Sequence, residues 1–260
     1  MARLDSELVV RGIARSRERA KEMIKQGAVS VNGKTARKAS DEVSAQDVIE
    51  SSVNELYVGR GALKLEKASK AFGLNFAGKV CLDIGASTGG FTEYMLLNGA
   101  ERVYAVDVGH GQLAKTLVDD ERVVNMEGTD IRNIGPEMIG GCADIISVDV
   151  SFISLTKILP KVYELLSDNG CAAILIKPQF EAGRSDIGKR GVVKDKRVHE
   201  RVLSELDSFS RLLGFVPVDY TFSPVRGGSG NIEYLVELKK QGTVSQFDFK
   251  KTVENAFESL

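Results

Sequence analysis

From residue 79 onward, short apolar segments alternate with segments of helical periodicity, and this alternation limits the folds open to the chain. We read seven of the apolar segments as strands: KVCLDIG, RVYAVDVG, RVVNMEG, ADIISVDVSF, CAAILIKP, FVPVDYTFS and NIEYLVELKK. Near-continuous apolar strands separated by helices indicate an α/β fold with a parallel sheet covered on both faces. The last two strands are joined by the short loop RGGSGN, so we expect them to pair antiparallel. Helices are expected around 90–98, 112–118, 153–166 and 195–213, with one more in the tail 244–258.

The first of these strands runs directly into a glycine-rich turn, DIGASTGG, at residues 83–90. Such a turn usually brings the backbone close to a polar cofactor. A P-loop needs Gly-Lys-Ser/Thr, which this turn lacks, and Ser87 replaces the middle glycine of a dinucleotide-binding GxGxxG. Asp83, two residues before Gly85, suits S-adenosylmethionine (SAM), whose ammonium and sulfonium groups are cationic and which carries no phosphate. A tight turn that holds no ligand is the alternative.

Two further acids follow the next two strands. Asp107 ends VYAVD, where a carboxylate can bind both ribose hydroxyls of an adenosine, although this spacing also suits NAD. Asp130, in EGTDIR, lies where a side chain can reach the adenine, and a surface turn is the alternative. Together these acids favour SAM over the other cofactors. The residues predicted to hold SAM are Asp83, Gly85, Ser87, Gly89, Gly90, Phe91, Asp107 and Asp130.

The fourth and fifth strands end in residues of opposite charge, Asp149 and Lys177. Such residues are costly to bury unless they are paired, so a structural ion pair is one interpretation. The other is an acceptor site, because class I methyltransferases keep acceptor chemistry on these loops. The loop Asp149-Val-Ser-Phe152 is not the N/D-P-P-Y/F loop of many N-methylating enzymes, and no cysteine stands where a cytosine-C5 enzyme would need its nucleophile. A hydroxyl acceptor needs a base, and a lysine whose pKa is lowered can provide it.

The first fifty residues differ in character from the rest. Two short helical segments, the second capped by Ser16, precede a hairpin predicted at Asn32-Gly33. Residues 1–38 carry ten Lys and Arg against four Asp and Glu, although the whole chain has a net charge of −1. This asymmetry indicates an anionic partner, with a solvated helical face as the alternative.

The segment RLDSELVVRGIARSRERAKEMIKQGAVSVNGK resembles the S4 RNA-binding domain. The chain as a whole resembles the TlyA family, which joins an S4 domain to an FtsJ-like ribose 2′-O-methyltransferase, through GRGALKLEKA, LDIGASTGGFTE, VDVGHGQLA, VDVSFISL, IKPQFEAG and SGNIEYL. The resemblance implies an α+β S4 domain at 1–50, a linker at 51–60, and a class I, Rossmann-like methyltransferase with a seven-stranded mixed sheet at 61–260. It also implies ribosomal RNA as the partner and a cytidine of 16S or 23S rRNA, or of both, as the target.

The same resemblance assigns residues to roles. The catalytic tetrad of FtsJ-like enzymes corresponds to Lys64, Asp149, Lys177 and Glu233. Lys177 would face the 2′-hydroxyl, Asp149 and Glu233 would position it, and Lys64 would oppose protonation of Lys177. The RNA contacts expected from the S4 domain and the linker are Arg3, Arg15, Arg17, Arg19, Lys21, Lys34 and Arg60.

Two other functions stay open: a membrane-active hemolysin, a label that the family carries, and an RNA-binding assembly factor without catalysis. No apolar run approaches the ~20 residues that span a bilayer, and the first twenty residues lack the apolar segment of a signal peptide. We therefore expect a cytoplasmic protein. Three cysteines without a CxxC pair and two separated histidines predict no metal site.

Overall fold

The computed structural model describes residues 2–14, 16–51 and 57–260. They form two compact units, residues 1–60 and residues 61–260. The predicted linker overlaps residues 52–56, which lie outside the described residues, so the boundaries at 50 and 60 stay a prediction.

The smaller unit contains two helices and five short strands. Its elements are β1 (Ala2–Arg3), α1 (Leu4–Val10), α2 (Arg17–Lys25), β2 (Val29–Val31), β3 (Lys34–Thr35), β4 (Glu42–Val43) and β5 (Ile49–Ser51). Ser16 caps α2 by accepting a hydrogen bond from the Arg19 N–H at 3.2 Å. Asn32 and Gly33 both have positive φ, 52° and 76°, as a two-residue hairpin turn between β2 and β3 requires. Leu4, Leu8 and Met23 are buried between the helices and the strands.

The larger unit is built on one seven-stranded mixed sheet, which confirms the predicted fold class. Its strands are β6 (Val80–Ile84), β7 (Arg102–Asp107), β8 (Val123–Glu127), β9 (Ala143–Val148), β10 (Leu166–Ile176), β11 (Val216–Phe222) and β12 (Tyr234–Lys239). They lie in the order β11-β12-β10-β9-β6-β7-β8. Within residues 57–260, β12 is the strand that runs against its neighbours, since it pairs antiparallel with both β10 and β11. The expected antiparallel pairing of the last two strands is confirmed.

Helices pack against the strands of this sheet. They are α3 (Ala62–Phe72), α4 (Gly90–Leu97), α5 (Lys115–Val118), α6 (Leu159–Leu165), α7 (Pro178–Glu181), α8 (Lys196–Leu212) and α9 (Phe249–Ser259). The sheet core is apolar, and α9 is anchored by Val253 and Ala256, which are fully buried. Among the described residues, no helix combines the length and the apolar character that crossing a membrane requires.

Three helices are clearly shorter than predicted, and one of them, the tail helix expected at 244–258, begins only at Phe249. The helix expected at 112–118 begins only at Lys115, because Glu127 accepts hydrogen bonds from the backbone N–H groups of Gln112 and Leu113, at 2.5 and 3.0 Å. The helix expected at 153–166 is a 3-10 turn, Leu155–Lys157, followed by α6. Pro160 lies in the first turn of α6, where its missing N–H has no cost.

The topology gathers several chain segments at one edge of the sheet. Parallel strands all end at the same edge, and ligands of open α/β sheets bind there. Because β12 is reversed, its beginning lies at the edge where β9 and β10 end. Residues that follow β6, β7, β9 and β10 and residues that precede β12 therefore meet at this edge.

Candidate active site

The glycine turn after β6 has no room for a side chain at Gly85 or Gly89. Gly85 has φ +86°, and a Cβ added to it would lie 2.5 Å from the backbone oxygen of Asp149. Gly89 has φ +93°, and a Cβ there would collide with Leu117. The close approach of the β6 and β9 ends thus explains Gly85 and places the turn against the loop that begins with Asp149, whereas Gly89 is explained by the packing of Leu117 and Leu113.

A cleft of about 430 Å³ opens beside this turn. Four of the eight residues predicted to hold SAM line it: Gly85, Ser87, Asp107 and Asp130. The carboxylate of Asp107 accepts hydrogen bonds from the backbone N–H groups of Ser87 at 2.8 Å and Gly109 at 2.7 Å. These bonds fix the carboxylate at the end of β7.

The other four predicted residues do not line the cleft. Asp83 is fully buried beneath the turn, where its carboxylate accepts hydrogen bonds from the hydroxyls of Thr92 at 2.7 Å and Ser147 at 2.8 Å. Burial raises the pKa of Asp83 to about 6, although the two hydroxyls oppose the shift. Gly89, Gly90 and Phe91 belong to the turn and to the start of α4, and Phe91 is buried. A direct contact between any of these four and a cofactor stays a prediction.

Many of the residues that line the cleft were not predicted from the sequence. Gln112 accepts a hydrogen bond from the Ser87 hydroxyl at 3.2 Å, and Arg132 pairs with Asp130 at 2.5 Å and lowers the pKa of that carboxyl. Apolar residues after strand ends have no distinctive sequence signal. The lining residues that were not predicted include Val108, Gln112, Ile131, Arg132, Val150, Ser151, Phe152 and Ile153.

The charges of the cleft suit a cationic cofactor. Among the described residues that line it, Asp107, Asp130 and Asp149 are acids and Arg132 is the one base. Arg132 pairs with Asp130, and Lys177 and Lys64 pair with Asp149, so Asp107 is the lining acid that has no cationic partner among the described residues. A phosphate-bearing nucleotide would be repelled by this set, while the sulfonium and ammonium groups of SAM would be attracted. The apolar side chains fit the adenine. The residues present therefore fit SAM.

Next to the cleft, four charged residues from distant parts of the chain form one chain of ion pairs. Lys177 Nζ lies 2.5 Å from Asp149 Oδ1, and Lys64 Nζ lies 3.4 Å from Asp149 Oδ2 and 2.7 Å from a carboxylate oxygen of Glu233. The order is Lys177–Asp149–Lys64–Glu233. The structure brings the predicted tetrad together, and its catalytic role stays a prediction.

Each member of this tetrad is held by its surroundings. Burial opposes the charge of Lys64, but Asp149 and Glu233 outweigh that effect, and the pKa of Lys64 is raised. The Glu233 side chain is only 3% exposed and packs against Gly227, where a Cβ would collide with it. Lys177 Nζ donates a hydrogen bond to Ser151 Oγ at 2.9 Å. Asp149 Oδ1 receives no directed hydrogen bond within the described residues, because its contact with Lys177 has ion-pair geometry only.

An exposed aromatic residue lies on the same loop. Phe152 is 90% exposed, lines the cleft and has a positive φ of 63°. Its ring lies 5.0 Å from that of Phe180, and Phe180 in turn lies 5.9 Å from Lys177 Nζ. An exposed aromatic side chain on a strained backbone is typical of a functional position.

In the smaller unit, most of the predicted RNA-binding side chains are paired with acids. Arg3 and Arg17 both bind the fully buried Asp5, at 3.0 and 3.1 Å. The side-chain hydrogen bond from Arg3 is the main cause of the lowered pKa of Asp5. Arg19 pairs with Glu22 at 2.5 Å and Lys21 with Glu18 at 2.8 Å.

The other predicted RNA contacts are Lys34, Arg60 and Arg15. Lys34 and Arg60 are exposed. Arg15 lies outside the described residues. Lys34 lies close in sequence to Arg37 and Lys38, and in the described part of the chain none of these three has an acidic partner. Sequence alone could not separate paired from unpaired cations, and all of these RNA contacts stay predictions.

The fold and the cleft together define a class I, SAM-dependent methyltransferase. The FtsJ-like methyltransferase family model matches residues 57–240, and the S4 domain model matches residues 2–49. The chain belongs to the FtsJ-like methyltransferase family and carries an S4 domain.

Individual relatives cover nearly the whole chain. "16S/23S rRNA (cytidine-2'-O)-methyltransferase TlyA" of Mycobacterium tuberculosis is 45% identical over 92% of this chain and 90% of its own length. "Hemolysin A" of Brachyspira hyodysenteriae is 44% identical over 91% of this chain and 99% of its own. A solved structure, "Putative hemolysin from Streptococcus thermophilus", is 40% identical with a TM-score of 0.79 and covers 99% of this chain and 96% of that one.

Proposed function

We propose that this methyltransferase modifies ribosomal RNA, transferring a methyl group from SAM to a ribose 2′-hydroxyl of cytidine in 16S rRNA, 23S rRNA or both. The observation that carries the proposal is the buried Lys177–Asp149–Lys64–Glu233 chain, which borders the cofactor cleft through Asp149. The name of the Mycobacterium tuberculosis relative supports the choice of substrate.

Lys177 faces the ribose hydroxyl in this proposal. SAM, when bound, supplies a methyl group that its sulfonium already activates, so the protein's task is to align the oxygen with it. For this step Lys177 is the neutral amine, its own proton having passed to solvent, and it receives the hydroxyl proton as the new O–C bond forms and the C–S bond breaks. Asp149 forms ion pairs with Lys177 and Lys64 and so holds Lys177 in position beside the acceptor. Lys64 and Glu233 fix Asp149 from the far side.

Two features support RNA as the substrate. Sequence-specific RNA recognition uses unstacked bases that stack on aromatic side chains, and Phe152 offers an exposed ring at the cleft. The S4 unit offers exposed cations at Lys34, Arg37 and Lys38 that have no acidic partner among the described residues, and such cations suit phosphates. We infer that the S4 unit binds structured RNA and that Phe152 receives the target base.

The direct test is methyl transfer to ribosomal subunits from cells that lack this modification. Purified protein, labelled SAM and separated subunits should give labelled 2′-O-methylcytidine after digestion of the RNA to nucleosides. Naked rRNA tested in parallel shows whether the assembled subunit is needed. Incorporation into neither subunit, or into a base instead of a ribose, would contradict the proposal.

Some relatives carry the name hemolysin, so a membrane-active function is the second candidate. Leakage of a dye from phospholipid vesicles, with purified protein at the concentration used for methyl transfer, separates the two functions. We expect no leakage above that of a protein-free control.

A further inference from the structure

Glu181 ends α7, the short helix that follows Lys177, and its side chain faces the loop that follows β9. One carboxylate oxygen accepts a hydrogen bond from Ser154 Oγ at 2.7 Å, and the other accepts one from the backbone N–H of Leu155 at 2.8 Å. The carboxylate thereby links the segment after Lys177 to the segment after Asp149. Sequence analysis gave Glu181 no role.

This carboxylate is stabilised in an unusual way. It is half-buried, burial raises its pKa, and the hydrogen bonds from Leu155 and Ser154 oppose the rise. No Lys, Arg or His of the described chain lies within ion-pair distance of it. Burying part of an ionised carboxylate without a nearby cation costs free energy, and hydrogen bonds from the protein have to offset that cost. The arrangement therefore indicates that the two hydrogen bonds matter.

The segment that Glu181 holds is the acceptor side of the cleft. Residues 150–155 include Ser151, which binds Lys177, and Phe152, whose positive φ is strained for a residue with a side chain. A strained conformation persists only where the surroundings enforce it. Four contacts join this segment to the residues after β10: Ser151 with Lys177, Phe152 with Phe180, Ser154 with Glu181, and Leu155 with Glu181.

From this geometry we propose that Glu181 is a positioning residue for methyl transfer. It clamps residues 150–155 to α7, so that Phe152 keeps its strained conformation and Ser151 stays against Lys177. The inference rests on the proposed function, because the segment matters only if an acceptor binds beside it. Among the described residues, the Glu181 carboxylate accepts hydrogen bonds from Ser154 and Leu155, neither of which belongs to the tetrad or lines the cleft, so Glu181 acts through these two residues.

Two substitutions separate the clamp from the charge. Glu181→Ala removes both acceptors. Glu181→Gln keeps an oxygen for the Leu155 N–H, and its amide can donate to Ser154 Oγ, whose hydroxyl is already 2.8 Å from Thr156 Oγ1. We expect Glu181→Ala to lower kcat at saturating SAM and RNA about tenfold or more, and Glu181→Gln to keep at least half of it. Val253→Ala, which loosens buried α9 away from the site, serves as a control for lost stability and should keep wild-type kcat at an equal fall in Tm.

Hydrogen exchange of residues 150–156, measured by mass spectrometry, shows how often this segment opens. It therefore tests the clamp independently of methyl transfer. Exchange should speed up about tenfold in Glu181→Ala and stay near wild type in Glu181→Gln. Unchanged exchange in Glu181→Ala overturns the clamp, and faster exchange with unchanged kcat overturns the positioning role. A Gln variant as impaired as the Ala variant overturns it too. If the wild type leaves rRNA unmethylated, the proposed function fails, and the exchange measurement still decides whether the clamp exists.

Discussion

The Nζ atom of Lys64 lies 2.7 Å from the carboxylate of Glu233, although 169 residues separate them in sequence. Lys64 comes from the first turn of α3, and Glu233 immediately precedes β12, the last strand of the sheet. The same Nζ lies 3.4 Å from Asp149, so one ammonium group compensates two carboxylates that are largely buried. At the candidate site, this contact joins the first helix of the large unit to the start of its last strand.

Replacing Lys64 by Met should therefore destabilise the protein as well as inactivate it. Removing one partner of a buried ion pair leaves an uncompensated charge and typically costs about 3–5 kcal/mol. We expect the free energy of unfolding, measured by urea titration, to fall by about 3 kcal/mol, because some of the site stays solvated. Lys70→Met on the same helix removes an exposed pair with Glu66 and should leave the unfolding curve unchanged. Equal effects of the two substitutions would contradict the compensating role of Lys64.

Lys177→Ala should abolish methyl transfer while SAM and RNA still bind. The side chain faces the acceptor in the proposed function, and loss of a positioned proton acceptor costs about 10²-fold or more in rate. Single-turnover transfer measures the rate, and titration calorimetry measures SAM affinity. Lys194→Ala, an exposed lysine on the neighbouring loop, is the matched control. A Lys177→Ala protein that retains most of its activity would show that another group faces the hydroxyl.

The buried Asp83 predicts an unusual dependence of stability on pH. Its pKa in the folded protein is about 6, above the ordinary value of 3.8, so the folded state binds the proton more tightly than the unfolded state. The contribution of Asp83 to stability should fall as pH rises from about 4 to about 6, by on the order of 3 kcal/mol. Asp83→Asn cannot ionise and can still accept a hydrogen bond. We expect the variant to gain stability relative to wild type as pH rises through this range.

Asp130→Asn is the control for that measurement, because its stability relative to wild type should change with pH in the opposite direction. Arg132 lowers the pKa of Asp130, so the contribution of Asp130 is present above the unfolded pKa and is lost as pH falls. The stability of Asp130→Asn relative to wild type should therefore decline with rising pH. Urea unfolding at pH values from about 2 to about 7.5 measures both variants, because the change due to Asp130 falls below about pH 4 and that due to Asp83 between about 4 and 6. A difference between Asp83→Asn and wild type that stays constant over this range would contradict the prediction.

Charge reversals in the S4 unit should have two distinct outcomes. Lys34→Glu removes an exposed cation, so affinity for an rRNA fragment should fall and the slope of log K against log salt should decrease by about 1. Arg17→Glu instead places a second carboxylate beside the buried Asp5, so its main effect should be a lower Tm. Lys250→Glu on α9 is the control for net charge. Loss of binding by Arg17→Glu at an unchanged Tm would show that Arg17 itself contacts the RNA.

The sequence predicted the parts of this molecule that depend on local patterns. Alternating apolar segments predicted the strands of the mixed sheet, and Asn32-Gly33 predicted the hairpin because few residues adopt two successive positive φ values. The ends of adjacent strands predicted that Asp149 and Lys177 would meet.

What the sequence could not predict depends on contacts between distant side chains. The pairing of Arg3 and Arg17 with Asp5, and of Arg132 with Asp130, is invisible until the acids are placed. Asp83 has the spacing of a cofactor ligand, but its buried carboxylate accepts hydrogen bonds from the hydroxyls of Thr92 and Ser147. Glu181 sits in a family motif, yet only the fold brings it to Leu155.

The reversed direction of β12 divides the sheet into two halves with separate tasks. The turn after β6 and the ends of β7 and β8 shape the half that takes the cofactor, through crossovers that also build the core. Glu233 arrives instead from a hairpin between two neighbouring strands, whose connecting loop, 223–233, belongs to no helix. Under the proposed function, a change in the length of that loop would shift Glu233 on the acceptor side, whereas the cleft that fits the methyl donor would stay as it is.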